Sequence, residues 1–188
     1  MKIFRVEYDV NKYQSILSED DSIWSTDRLI FDGRAKYNSW LPPAVYYPNP
    51  LKKLGDFVYL CPGTLVFNEK ARKACATFFE MSGEILPLPH EEAPLFALNV
   101  TECWNVLDQN KTEWQYDRSG TIKLHILNFF FHRHRIPEVP LFKIPETVRG
   151  DIYTVEGMKA PEDEFKYTVE SNGLKGLIFE EVWDGERC

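Results

Sequence analysis

The stretch PEDEFKYTVESNGLKGLIFEEV, residues 161–182, decides the fold class. It reads as helix, stop, strand. Phe165, Thr168, Val169 and Asn172 recur at the spacing that places side chains on one helical face. Pro161 suits a first turn, where its missing N–H is no loss. Glu162, Asp163 and Glu164 crowd the N-terminal end, where the helix dipole favours anions. Gly173 is a stop, because glycine enters the left-handed region without a steric penalty. Leu177, Ile178 and Phe179 then make a short apolar run, closed by Glu180 and Glu181. A helix over 161–172 handed directly to a strand predicts a mixed fold.

The rest of the chain repeats both signals. Ala71, Ala74, Cys75, Phe78 and Phe79 fall at helical spacing after Asn68, a good N-cap, so a second helix is expected over 68–82. Strands are expected over 2–9, 29–31, 44–47, 57–60, 84–88, 95–100 and 129–131. A hairpin over 113–126 turns at Asp117-Arg118-Ser119-Gly120, with Ile122, Leu124 and Ile126 on one face. Residues 11–26 are polar, with the acidic run Glu19-Asp20-Asp21, and read as a long surface loop. Trp104 and Leu107 are expected to point inward. The expected fold is α+β: a mostly antiparallel sheet with two main helices, 68–82 and 161–172. One domain over residues 1–188 is the simplest division, and two lobes meeting near residue 90 are the alternative.

Charge is unevenly placed. Residues 1–90 hold 11 basic and 11 acidic side chains, so residues 91–188 carry the whole net charge of −7. Phosphate contacts need a basic surface, so nucleic acid is not the expected partner. An acidic field suits a basic protein instead. Apolar runs are far too short to span a membrane. Glu7 and Asp9 interrupt any signal-like start. Cys61, Cys75, Cys103 and Cys188 are widely spaced, without a C-x-x-C pair, so free thiols in the cytoplasm are expected.

Chemistry-bearing motifs are sparse. His132 and His134 would share a face of a strand and could chelate a metal, given a third ligand such as His125, His90 or a carboxylate. A basic strand end is the plainer reading. No G-x-S-x-G or P-loop spacing occurs. Glu91-Glu92 and Glu180-Glu181 are adjacent pairs, which a strand would send to opposite faces. No catalytic residue, metal ligand or cofactor is therefore assigned. The candidate binding residues are the acids Glu162, Asp163, Glu164, Glu170, Glu180 and Glu181, read as a docking face on and after the last helix. A merely solvated helix face is the alternative.

Several short motifs in order carry a resemblance. They are Phe31-Asp32-Gly33-Arg34, Trp40-Leu41-Pro42-Pro43, Gly55-Asp56-Phe57, and Pro62-Gly63-Thr64-Leu65-Val66-Phe67-Asn68-Glu69-Lys70-Ala71. Gly83-Glu84-Ile85-Leu86-Pro87-Leu88, Leu98-Asn99-Val100-Thr101, Phe142-Lys143-Ile144, Phe165, Val169-Glu170 and Gly173-Leu174-Lys175-Gly176-Leu177-Ile178-Phe179 complete them. Over roughly residues 31–182 the chain resembles immunity protein family eleven of bacterial polymorphic toxin systems, formerly a domain of unknown function. Residues 129–140 depart from that pattern. The resemblance implies no catalytic residue. It implies a role: non-enzymatic binding and neutralisation of a cognate toxin domain, in the cytoplasm of the cell that makes the toxin. A metal-dependent hydrolase using His132 and His134, or an interaction module unrelated to toxins, are the competing functions.

Overall fold

A computed structural model describes residues 1–186; Cys188 lies outside them. In chain order the elements are β1 (Lys2–Tyr8), β2 (Leu17–Ser18), β3 (Val45–Tyr46), β4 (Phe57–Val58), β5 (Thr64–Asn68), α1 (Glu69–Ser82), β6 (Gly83–Leu88), β7 (Leu95–Val100), β8 (Glu113–Tyr116), β9 (Lys123–Asn128), β10 (Ile152–Glu156), α2 (Phe165–Ser171) and β11 (Leu177–Asp184). The fold is α+β, and its strand pairs are antiparallel. The strands do not form one sheet. They form a four-stranded sheet in the order β4-β5-β7-β6, a three-stranded sheet in the order β10-β1-β11, and two two-stranded ribbons.

Strand parity explains the layers. On β5, Leu65 and Phe67 face one way and Val66 the other. Leu65 and Phe67 join Leu98 and Val100 of β7 and meet Ala71, Cys75 and Phe79 of α1. Phe67 stacks on Phe79 at a centroid distance of 4.2 Å. Phe165 of α2 meets Phe57, Phe78, Phe79 and Phe179 edge-on or tilted, so it binds both sheets and both helices into one core. The helices therefore lie between the two sheets.

Val66, Ala97, Leu86 and Leu88 point to the opposite face of the four-stranded sheet. Ile16, Ile23, Leu29, Phe31 and Val45 cover them. The expected surface loop over 11–26 is thus corrected: Ile16 and Ile23 are fully buried and hold a second core. A sheet apolar on both faces needs a cover on each, and a few apolar side chains in a polar segment do not announce that role. The expected strand at 29–31 is corrected too. Thr26 Oγ1 accepts from Arg28 N and winds Asp27–Leu29 into a 3-10 turn.

The outer face of the three-stranded sheet has its own core, in which Ile3, Tyr153, Val155 and Trp183 pack against Val106, Phe131, Phe142 and Ile144. The third strand expected over 129–131 is replaced by a single bridge between Phe131 and Leu107. Leu107 is buried as expected, but Trp104 is exposed, its indole N–H donating to Glu102. The hairpin is present as β8 and β9. Residue 90 falls in the loop between β6 and β7, which pair from Gly83↔Val100 to Leu88↔Leu95 within one sheet.

The opening stretch departs from expectation at its start. The helix α2 does not begin at Pro161. Residues Pro161–Asp163 form a 3-10 turn, and Glu164 is extended (φ −111°, ψ 133°) before α2 starts at Phe165. The stop is as read, with Gly173 in the left-handed region at φ 61°. No helix among the described residues is long and apolar enough to cross a membrane.

Candidate functional site

The six acids do not share a docking face. Glu164 is buried, and its Oε1 accepts from the backbone N–H groups of Gly157, Met158 and Lys159 at 2.6, 3.1 and 3.2 Å. It is a structural clasp on the loop between β10 and α2, which corrects its expected exposure. Glu170 lies 3.4 Å from Lys166, which also binds Glu156. Glu181 pairs with Lys2 at 2.6 Å and Glu180 with Arg5 at 2.5 Å, both across the β1–β11 ladder. Only Glu162 and Asp163 make no side-chain hydrogen bond or ion pair among the described residues. Sequence spacing cannot reveal this, because the partners come from the other end of the chain.

Arg5 marks a different centre. Its guanidinium meets Glu180, Glu7 at 2.9 Å and Asp151 at 3.8 Å. Partial burial works against its charge, and these carboxylates outweigh that and raise its pKa. Asp151 is raised by burial, with Arg5 and a hydrogen bond from Tyr153 opposing. Two cavities share Arg5 and Asp151 as a common wall. One, of about 390 Å³, runs along Tyr8, Tyr59, Cys61 and Thr64. The other, of about 410 Å³, lies under the hairpin, against Trp114, Leu124, Ile126, Glu146 and Val148. Above it, β8 and β9 pair with each other and with no third strand among the described residues.

The histidines gather no set of metal ligands among the described residues. Residues Arg133–Arg135 form a 3-10 turn rather than a strand. His132 and His134 have ring centroids 5.8 Å apart, and His132 Nδ1 lies 3.8 Å from Asp108. No group of three His, Cys, Asp or Glu side chains able to hold a metal gathers among the described residues. Cys61 and Cys75 are free and buried, their thiols pushed up to about 12 by that burial.

Lys143 is a titratable group that the sequence reading passed over. It is fully buried in the run Leu141-Phe142-Lys143-Ile144, and its ammonium donates to the Phe31 carbonyl at 2.6 Å. Burial pulls its pKa down to about 8, against the opposing pull of Cys103, Asp32 and Cys61. The folded pKa is below the unfolded one, so the unfolded chain binds more protons between about pH 8 and 10.5. This residue's contribution to stability therefore rises with pH across that window, by on the order of 3 kcal/mol. Urea unfolding of the wild type and Lys143→Met at pH 7, 9 and 10.5 checks this. The wild type is expected to gain on the variant as pH rises; parallel curves would contradict it. The buried thiols act with the opposite sign in both proteins and largely cancel.

Comparison with models of known protein families finds no match for this chain, and no curated protein matches it.

Proposed function

We propose that this chain is a non-enzymatic immunity protein that binds a cognate toxin domain and holds it inactive in the cytoplasm of the bacterium that produces both. The observation that carries the reading is a division of labour in the fold. The motif residues of the resemblance build the scaffold. Phe57, Leu65, Phe67, Ala71, Leu98, Phe165, Val169 and Leu174 all lie in the core between the sheets. Beyond that scaffold stands a hairpin with apolar side chains facing solvent: Ile122, Leu124 and Leu127 are 61%, 56% and 57% exposed. Large apolar side chains kept on an exposed two-stranded ribbon are an aggregation hazard unless a partner covers them. The segment that departs from the family pattern, 129–140, follows the hairpin directly in the chain. Binding, rather than chemistry, is what these features serve.

The test is co-expression with the toxin domain encoded by the adjacent gene. The wild-type chain is expected to restore growth and to co-purify with the toxin. A toxin equally lethal with and without the chain would sink the reading. The same hairpin also fits an interaction module outside toxin systems. The identity of the neighbouring gene separates the two, and a neighbour without a toxin domain favours the module.

A further inference from the structure

The immunity reading leaves the docking surface open, and the acids around the last helix are mostly engaged within the chain. We infer that the partner docks on the exposed face of the β8–β9 hairpin and inserts a basic side chain into the adjoining cavity walled by Glu146 and Asp151. The inference rests on the proposed function and names the surface that serves it.

Two kinds of complementarity meet here. Ile122 and Leu124 on the hairpin and Val148 on the opposite rim are all more than half exposed, and Leu124 and Val148 line the same cavity. They offer an apolar anchor of the kind that is buried at the centre of protein interfaces. Below them the charge is negative. Glu146 and Asp151 line this cavity beside Arg5, whose charge is also taken up by Glu7 and Glu180 outside its lining. The nearby cations are engaged elsewhere. Lys123 lies over the Trp114 ring at 4.4 Å and donates to Gln109, which in turn donates to Glu146. Arg149 donates to the Asp32 carbonyl at 3.4 Å. His125 also lines the cavity. The remaining field at the floor is acidic, so the occupant that fits is a basic protein segment with an apolar neighbour. An incoming ammonium or guanidinium would also relieve the burial cost of the Asp151 carboxylate.

The rim itself is strained. Val148 and Arg149 have φ of 53° and 59° in succession. A β-branched residue in that region costs about 1–3 kcal/mol, and such strain concentrates where chains meet ligands. Here it holds Val148 out at the mouth of the cavity, 86% exposed.

The experiment measures binding of the purified toxin domain, catalytically inactivated, to the wild type, Leu124→Asp, Glu146→Gln and the double variant Glu162→Lys/Asp163→Lys. Thermal melts run alongside, and the two single substitutions on separate parts of the surface guard against one of them misfolding. Leu124→Asp and Glu146→Gln are each expected to lose roughly tenfold or more in affinity at unchanged melting temperature. The double variant is expected to bind as the wild type does. Association should slow as salt rises, since the steering is electrostatic. Wild-type affinity in both Leu124→Asp and Glu146→Gln would overturn the surface and leave the immunity reading standing. Loss in the Glu162/Asp163 variant alone would move the interface back to the start of the last helix. A wild type that does not bind the toxin at all would overturn the immunity reading, and this surface with it.

Discussion

Gly176→Ala is expected to lose roughly 3–5 kcal/mol of stability, a large part of what a domain has. Gly176 has φ 111°, a conformation closed to side-chain-bearing residues, and an added Cβ would fall 2.1 Å from the Phe57 carbonyl oxygen. The obstacle is backbone and has nowhere to go. Phe57 N donates to Lys175 O at 2.9 Å, Asp9 N donates to Gly176 O at 2.9 Å, and the Asp56 carboxylate accepts from Lys175 N at 2.8 Å. This crossing fixes β11 against β4 and sets Phe57 beneath Phe165. Gly173→Ala is the internal control. It is also left-handed, at φ 61°, but a Cβ there meets nothing within 4 Å, so only the backbone term of about 1–2 kcal/mol is expected. Urea midpoints of the two variants should differ clearly. A Gly176→Ala protein as stable as Gly173→Ala would show that the crossing can spread without cost.

Glu164→Ala is expected to cost about 3 kcal/mol, because one carboxylate oxygen serves three backbone N–H groups and charged acceptors form the stronger hydrogen bonds. For a chain of this length the melting temperature should fall by roughly 6–12 °C. Glu164→Gln keeps an acceptor oxygen and is expected to lose less than half as much. Substituting the neighbouring Glu162 or Asp163, both exposed, should change stability by no more than about 0.5 kcal/mol. The contrast separates a structural acid from two surface ones that the sequence places side by side. Equal melting temperatures for Glu164→Ala and Glu162→Ala would contradict the clasp.

The two elements with clean periodicity and a chemical stop were readable in advance. Asn68 caps α1 through a bond from Ala71 N at 3.0 Å, and Ala71, Cys75 and Phe79 are buried as the spacing requires. The hairpin turn was readable from Asp117, whose Oδ1 accepts from Thr121 N and Ile122 N. Glu164 was misread because a carboxylate before a helix has two good uses. It can face solvent at the positive end of the dipole, or fold back onto the preceding loop. The choice depends on whether three N–H groups from the end of β10 converge there. Lys143 was passed over because a lysine between apolar residues usually marks an edge, and its carbonyl partner lies on Phe31, far away in the chain.

The candidate site shows the same limit more sharply. Arg5 and Glu180 are at opposite ends of the chain, and β1–β11 pairing alone brings them together. Ile122 and Leu124 have the alternation of a buried strand face, yet they are exposed because only the Ile126 end of that face, with Trp114, packs against a core.

By itself the sequence determined the α+β class, the helix α1 with its cap and buried face, the stop at Gly173, the hairpin, and an acidic second half. Each depends on neighbours within a few residues, where spacing, capping and allowed φ act directly. The tertiary structure alone decided which face of each strand is covered, that residues 11–31 supply a second core, which carboxylates are bound to cations, and where an apolar ribbon is left open beside an acidic cavity. Those outcomes depend on groups brought together from distant parts of the chain. No local pattern records whether a charge will meet its counter-ion or a strand face its cover.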